Sequence, residues 1–144
     1  MNLKKILFTI MLVYLTQQLL NYLLHILILG STYASLPHLW RQDVLNKIWI
    51  RLVTDLIFSI FFVYLFVRGY QNRGVKEGIR FGIIVACLYA IPIYYGQYII
   101  YPLPSLLIVE WVFFGFITYM ILGVVCAMFY KGGSRRDAIQ SDKR

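Results

Sequence analysis

Four ionisable side chains lie inside stretches of sequence that are otherwise apolar: His25, Arg51, Asp55 and Glu110. Such groups are expensive in hydrocarbon, so each predicts a buried partner or a working site. Counted at 1.5 Å per helical residue, all four fall within roughly 10 Å of the same boundary of their stretches. Tyr94, Tyr95, Gln97 and Tyr98 add polar atoms at that level. Tyr14, Gln18, Asn21 and His25 step by four, three and four, which predicts one shared helix face. Arg51, Asp55 and Ser59 step by four, and Arg51 can pair with Asp55 along the helix. The spacing therefore predicts a small polar cavity lined by His25, Arg51, Asp55, Glu110, Asn21, Gln18, Tyr95 and Tyr98. Such a cavity could bind a cation, pass protons or hold a polar head group. Glu110 would be its key carboxylate, because its own helix offers no nearby base; Arg51 or His25 would pair with it. The competing reading is an internal hydrogen-bond network that fixes helix register. That reading is preferred for Arg51–Asp55 and for His25, and the cavity reading for Glu110.

Other chemistries find little purchase. Haem held within helices needs axial ligands at matched depth, and His25 is the one intramembrane histidine, with His38 in the connection beyond. A zinc hydrolase needs two or three histidines with a carboxylate, and that spacing is absent. No glycine-rich phosphate loop or serine nucleophile elbow appears. Cys87 and Cys126 belong to no CxxC or Cys/His pattern, and packing is their expected role. No catalytic residue, metal ligand set or cofactor is assigned, bound lipid aside. The net charge of +8 would suit nucleic acid, but the basic residues cluster at the ends of apolar stretches, so no nucleic-acid partner is expected.

The elements that must carry these residues are plain. Hydrophobic residues make up 60% of the chain and charged residues 14%, too little polar sequence to cover long apolar helices in water. Four stretches, roughly Ile6–Leu29, Ile48–Val67, Ile79–Ile100 and Leu106–Tyr130, each reach the ~20 residues that cross a bilayer. The first follows Lys4 and Lys5 like a signal peptide, but its apolar run is too long and carries Gln17, Gln18 and Asn21, so an uncleaved helix is expected. Eleven basic residues fall on one side: Lys4, Lys5, Arg68, Arg73, Lys76, Arg80 and five in the tail. Three, Arg41, Lys47 and Arg51, fall on the other. This bias predicts both termini in the cytoplasm, as an even number of spans requires. The predicted fold is all-α: one domain over residues 1–130, an antiparallel four-helix bundle in a bacterial inner membrane, with a basic tail over 131–144.

The connections sharpen the picture. Arg68–Gly78 is glycine-rich and predicts a helical hairpin. Two prolines in Tyr101–Ser105 stop one helix and start the next. The Gly30–Lys47 connection predicts a short interfacial helix, or an early start to the second span with Asp43 as its N-cap. Gly78-x-x-x-Gly82 and Gly123-x-x-x-Ala127 predict close helix contacts, and Pro92 a kink. Glu77 suits a helix start. Lys76 and Arg80, four apart, could hold a lipid phosphate, although ordinary anchoring beside the membrane is the preferred reading.

The K-E-G-I-R-F-G run at Lys76–Gly82, the Pro-Leu-Pro turn and the Trp40-Arg41 pair together resemble small bacterial four-span membrane proteins of uncharacterised role. The resemblance implies a compact four-helix fold and supplies no reaction. The expected function is non-catalytic: a subunit or scaffold of a membrane complex, in contact with lipid and with copies of itself or other chains. The alternative is a transporter or channel-like protein moving a proton, cation or small polar solute. A lipid- or quinone-active enzyme using Glu110 as base ranks third.

Overall fold

A computed structural model describes residues 3–41 and 43–130, and the expected basic tail over 131–144 lies outside the described residues. All regular elements among the described residues are helical. Helix α1 (Leu3–Tyr22) runs into a π-helical turn, Leu23–Ile28, and then a short helix α2 (Gly30–Ala34). Single 3-10 turns at Pro37–Leu39 and Leu45–Lys47 lead into α3 (Ile48–Gly69), followed by α4 (Val75–Ile100) and α5 (Ser105–Phe129). Four stretches of the described chain are long and apolar enough to cross a membrane: Leu3–Ile28, Leu45–Gly69, Val75–Ile100 and Ser105–Phe129. The molecule has the build of a multi-pass membrane protein.

Helices α4 and α5 form the tightest pair, and small residues cause it. On α4 the buried residues are Gly78, Gly82, Ala86 and Ala90, one every four positions and hence one face. A Cβ added to Gly78 would run into the carbonyl of Gly123; one added to Gly82 would meet the backbone of Tyr119 and Met120. Further along, Gly115 faces the Ala90 methyl and the Tyr94 ring, which its own Cβ would approach to 3.0 and 3.2 Å. Backbone-to-backbone approach of this kind is how helices associate in lipid, where apolar surface alone gives no drive. The helical assignment of α4 continues through Pro92.

Helix α1 packs against both α3 and α5. Its buried residues Ile6, Thr9, Val13 and Gln17 step by three, four and four. Helix α3 reaches α4 and α5 through rings: Phe62 and Phe66 meet Phe81 at 4.9 and 5.4 Å, and Phe58 meets Tyr89 and Tyr119 at 5.5 Å each. Val13, Phe62, Val63, Ala86, Tyr119, Leu122 and Cys126 form the main core. A second core gathers Leu29, Leu103, Leu107, Ile108 and Trp111 under the 29–47 connection. Cys126 is a packing residue of the main core, and Cys87 is exposed.

The connection between α3 and α4 is pinned by Glu77. Its two carboxylate oxygens accept the backbone N–H groups of Gln71 and Arg73, at 2.6 and 2.8 Å. Gly74, at φ 68° and ψ −148°, holds a conformation essentially reserved for glycine. Before α3, turns lead directly into the helix, but Asp43 does not cap it as expected. No side chain caps the start of α3 or of the turn preceding it. The Asp43 carboxylate instead takes Arg41 at 2.9 Å and Lys47 at 3.3 Å. A guanidinium two residues away competes better than backbone N–H groups, and it holds the Asp43 carboxyl below the usual range.

Gly82→Ala should cost about 1–3 kcal/mol, the usual range for overpacking, since the obstacle is backbone that must shift. Gly96 has nothing within 4 Å of an added Cβ. Gly96→Ala should therefore gain about 0.5–1 kcal/mol through helix propensity. Thermal unfolding of both variants in one detergent checks the opposite signs.

Candidate functional site

The polar side chains gather at the end of the bundle that carries the 29–47 connection, in two groups. The first surrounds Asp55 on α3. Gln17 Nε2 donates to Asp55 Oδ1 at 3.1 Å; Gln18 Nε2 and Asn21 Nδ2 donate to Oδ2 at 3.1 and 3.2 Å. Arg51, one turn earlier, lies 3.7 Å from the same oxygen. The Asp55 side chain is 17% exposed and that of Arg51 47%, so the guanidinium reaches back from a wetter position. A carboxylate offers about four acceptor sites, and these donors nearly fill them. Ser59 Oγ approaches Gln17 Oε1 at 3.0 Å and the Asp55 carbonyl at 2.8 Å. Gln17 is thus held at both ends of its amide. The result is a clamp of α1 onto α3.

The second group centres on Tyr33 in α2. Trp111 Nε1 donates to the Tyr33 hydroxyl at 2.7 Å, and Trp40 Nε1 donates to the Tyr33 carbonyl at 3.1 Å. His25 Nδ1 lies 2.6 Å from the same hydroxyl. Indole can only donate, so the Tyr33 oxygen is the acceptor toward Trp111, and its own proton is free for His25. When the Tyr33 hydroxyl donates, His25 Nδ1 is the acceptor and the ring proton sits on Nε2. Burial pushes the Tyr33 phenol up to about 12, against the opposing pull of the Trp111 N–H. The rings of Tyr33, Trp40 and Trp111 pack together, with centroids 5.1 to 6.4 Å apart, and close this end of the bundle.

Between the two groups lies a cavity of about 40 Å³, lined by Asn21, His25, Tyr94, Trp111, Thr118 and Tyr119 among others. That is room for a water or two, since one water needs about 10–15 Å³ by this measure. Among the predicted site residues, Asn21 and His25 line it. Gln18, Arg51 and Asp55 stand in the clamp beside it. Tyr95 and Tyr98 are 46% and 44% exposed and are not in its wall. Glu110 is not in the wall either; its Oε2 is buried with no hydrogen-bond partner among the described residues. Neither Arg51 nor His25 pairs with it. No group of three or more His, Cys, Asp or Glu converges among the described residues.

One expectation needs correction. The backbone carrying Tyr14, Gln18, Asn21 and His25 widens into the π turn after Tyr22, and Asn21 and His25 still line one cavity. The Leu29 N–H bonds to Leu24 O, five residues back, at 2.9 Å. His25, expected as a partner for Glu110, bonds Tyr33 instead. Gln17, Tyr33, Trp40 and Trp111 carry the site without having been assigned to it. The usable signal was the two indoles, whose buried N–H groups require acceptors.

No known protein family, curated protein or solved structure matches this chain.

Asp55→Asn should destabilise the bundle by about 1–3 kcal/mol, because an amide nitrogen would face amide donors. Combined with Gln17→Met, the loss should be less than additive, as a shared bond requires. Tyr33 makes a pH prediction of definite sign. Its ionisation sits higher in the fold than the ordinary 10, so its stabilisation is complete below pH 10 and fades as pH rises toward about 12. The thermal midpoint should fall across that window by more in the native chain than in Tyr33→Phe.

Proposed function

We propose that this chain is a non-catalytic integral membrane protein that works as a subunit or scaffold, within a homo-oligomer or a larger membrane complex. In this reading the helices are antiparallel and both ends lie on the cytoplasmic side of a bacterial inner membrane. The contact order between α4 and α5 supports the first point: Gly78 against Gly123, Gly82 against Tyr119, Tyr94 against Trp111. The distribution of basic residues supports the second.

The observation that carries the proposal is the state of Asp55. It is the acid most involved in polar contacts within the apolar helices, and it is spent on assembly. Three amides from α1 and one guanidinium occupy it. The neighbouring cavity of about 40 Å³ is far below the ~300 Å³ at which small-molecule sites begin. Outward-facing apolar side chains are available for partner helices or lipid. On α1, Leu7, Met11, Leu15 and Leu19 recur every four residues and are all about half exposed.

One observation favours the transport alternative. A buried, unpartnered Glu110 Oε2 is what a proton or cation relay would require. Two measurements separate the readings. Native mass spectrometry from gentle detergent should return a fixed stoichiometry, with copies of itself or a constant partner, that survives Glu110→Gln. Liposomes holding the purified protein should leak protons and small cations no faster than empty ones. Flux that Glu110→Gln abolishes would replace the subunit reading with the transport one.

A further inference from the structure

A second, larger cavity lies at the opposite end of the bundle from the Asp55 clamp. It has a volume of about 410 Å³ and opens between the end of α3, the turn after it and the start of α4. Its walls divide by chemistry. Phe66, Phe81 and Ile84 form an apolar floor within the two helices. Arg73, Lys76 and Arg80 stand around the mouth. Among the described residues, none of the three cations has a side-chain ion pair. The one acid in the wall, Glu77, does not neutralise them: both of its oxygens are engaged by the N–H groups of Gln71 and Arg73. The mouth therefore carries three positive charges against one carboxylate committed to the backbone.

The cavity also has a structural cause. Helices α3 and α4 do not pack backbone to backbone here; Phe62 and Phe66 bridge the gap by meeting Phe81 edge-on. Bulky rings hold the helices apart, and the space beyond them stays open toward the turn. A soluble anion would be satisfied by the charged mouth alone and would leave the phenyl floor unused. A lipid chain alone would leave three cations at the mouth without a counter-charge. An anionic head on an apolar tail uses both, and it is the form in which phosphate is most concentrated at a membrane surface.

We infer that this cavity is a specific site for one anionic phospholipid, whose phosphate sits among Arg73, Lys76 and Arg80 and whose acyl chain enters over Phe66, Phe81 and Ile84. The site does not depend on the subunit reading.

The test is retention of lipid by the full chain in native mass spectrometry, titrated with phosphatidylglycerol, phosphatidylcholine or free glycerol phosphate. One phosphatidylglycerol should stay bound per chain at concentrations where phosphatidylcholine is lost, and glycerol phosphate should fail to displace it. The triple variant R73Q/K76Q/R80Q should bind phosphatidylglycerol roughly a hundredfold more weakly, from about a fivefold loss for each surface cation removed. Ile84→Trp, which fills the floor and keeps every charge, should also expel the lipid. Equal retention of the two lipids would overturn the inference, and so would efficient displacement by glycerol phosphate. The lipid comparison and the competition need only the native chain, so they decide the matter even if a variant fails to fold.

Discussion

Asp55 needs donors. Its side chain is only 17% exposed on a helix that is otherwise apolar, and a buried carboxylate without donors costs several kcal/mol. Its own helix supplies Arg51 one turn away, at 3.7 Å, longer than a direct hydrogen bond. The rest must come from another helix, and α1 supplies Gln17, Gln18 and Asn21 together. That requirement fixes the rotation of α1, since only one setting brings all three amides to one carboxylate. It also fixes its depth, since a shift by one turn would withdraw them. The apolar remainder of α1 could slide against lipid or neighbours at little cost. The polar clamp prevents it.

The other half of the bundle is held by different physics. Between α4 and α5 no side-chain hydrogen bond is needed, because Gly78, Gly82 and Gly123 let the two backbones touch. Dispersion over a long close contact replaces polar chemistry there. Two unlike pairs result, one specified by charge and one by shape, and the rings of Phe58, Phe62 and Phe66 join them. Aromatic contacts tolerate small adjustments of spacing, which suits a junction between pairs that are each rigid by other means. The same rings leave the α3–α4 side less tightly closed than the α4–α5 side, which is why the large cavity falls there.

Features governed by local rules were legible in the sequence. Run length alone located the four long helices to within a few residues. The small-residue spacing marked the α4–α5 contact, and the four-residue step paired Arg51 with Asp55. Glu77 was placed at a helix start, and it is there that its carboxylate ties down the turn. What failed depended on geometry that no local rule contains. A period of 3.6 put Gln18 on the polar face and left Gln17 off it, yet a carboxylate with two oxygens reaches both neighbours. The π turn at Leu23–Ile28 is not signalled by any local pattern, and His25 within it bonds Tyr33 and not Glu110. Tyr33 and Trp111 stand 78 residues apart, and only the closing of the 29–47 connection over α5 brings them together. The cavity volume is a difference between large packed volumes, and sequence carries no measure of it.

Glu110 is the residue that this accounting leaves open. The donors described elsewhere at this end of the bundle are committed: Trp111, its neighbour in the chain, gives its N–H to Tyr33, and Arg51 and the three amides face Asp55. A buried oxygen without a partner costs about 1–3 kcal/mol, a large share of a typical margin of stability. Among the described residues the other acids, Asp43, Asp55 and Glu77, all have partners. Asp55 and Glu110 are thus opposite cases in one bundle: one acid is answered by donors of the chain and locks its helices, and the other keeps a buried oxygen that no described residue answers.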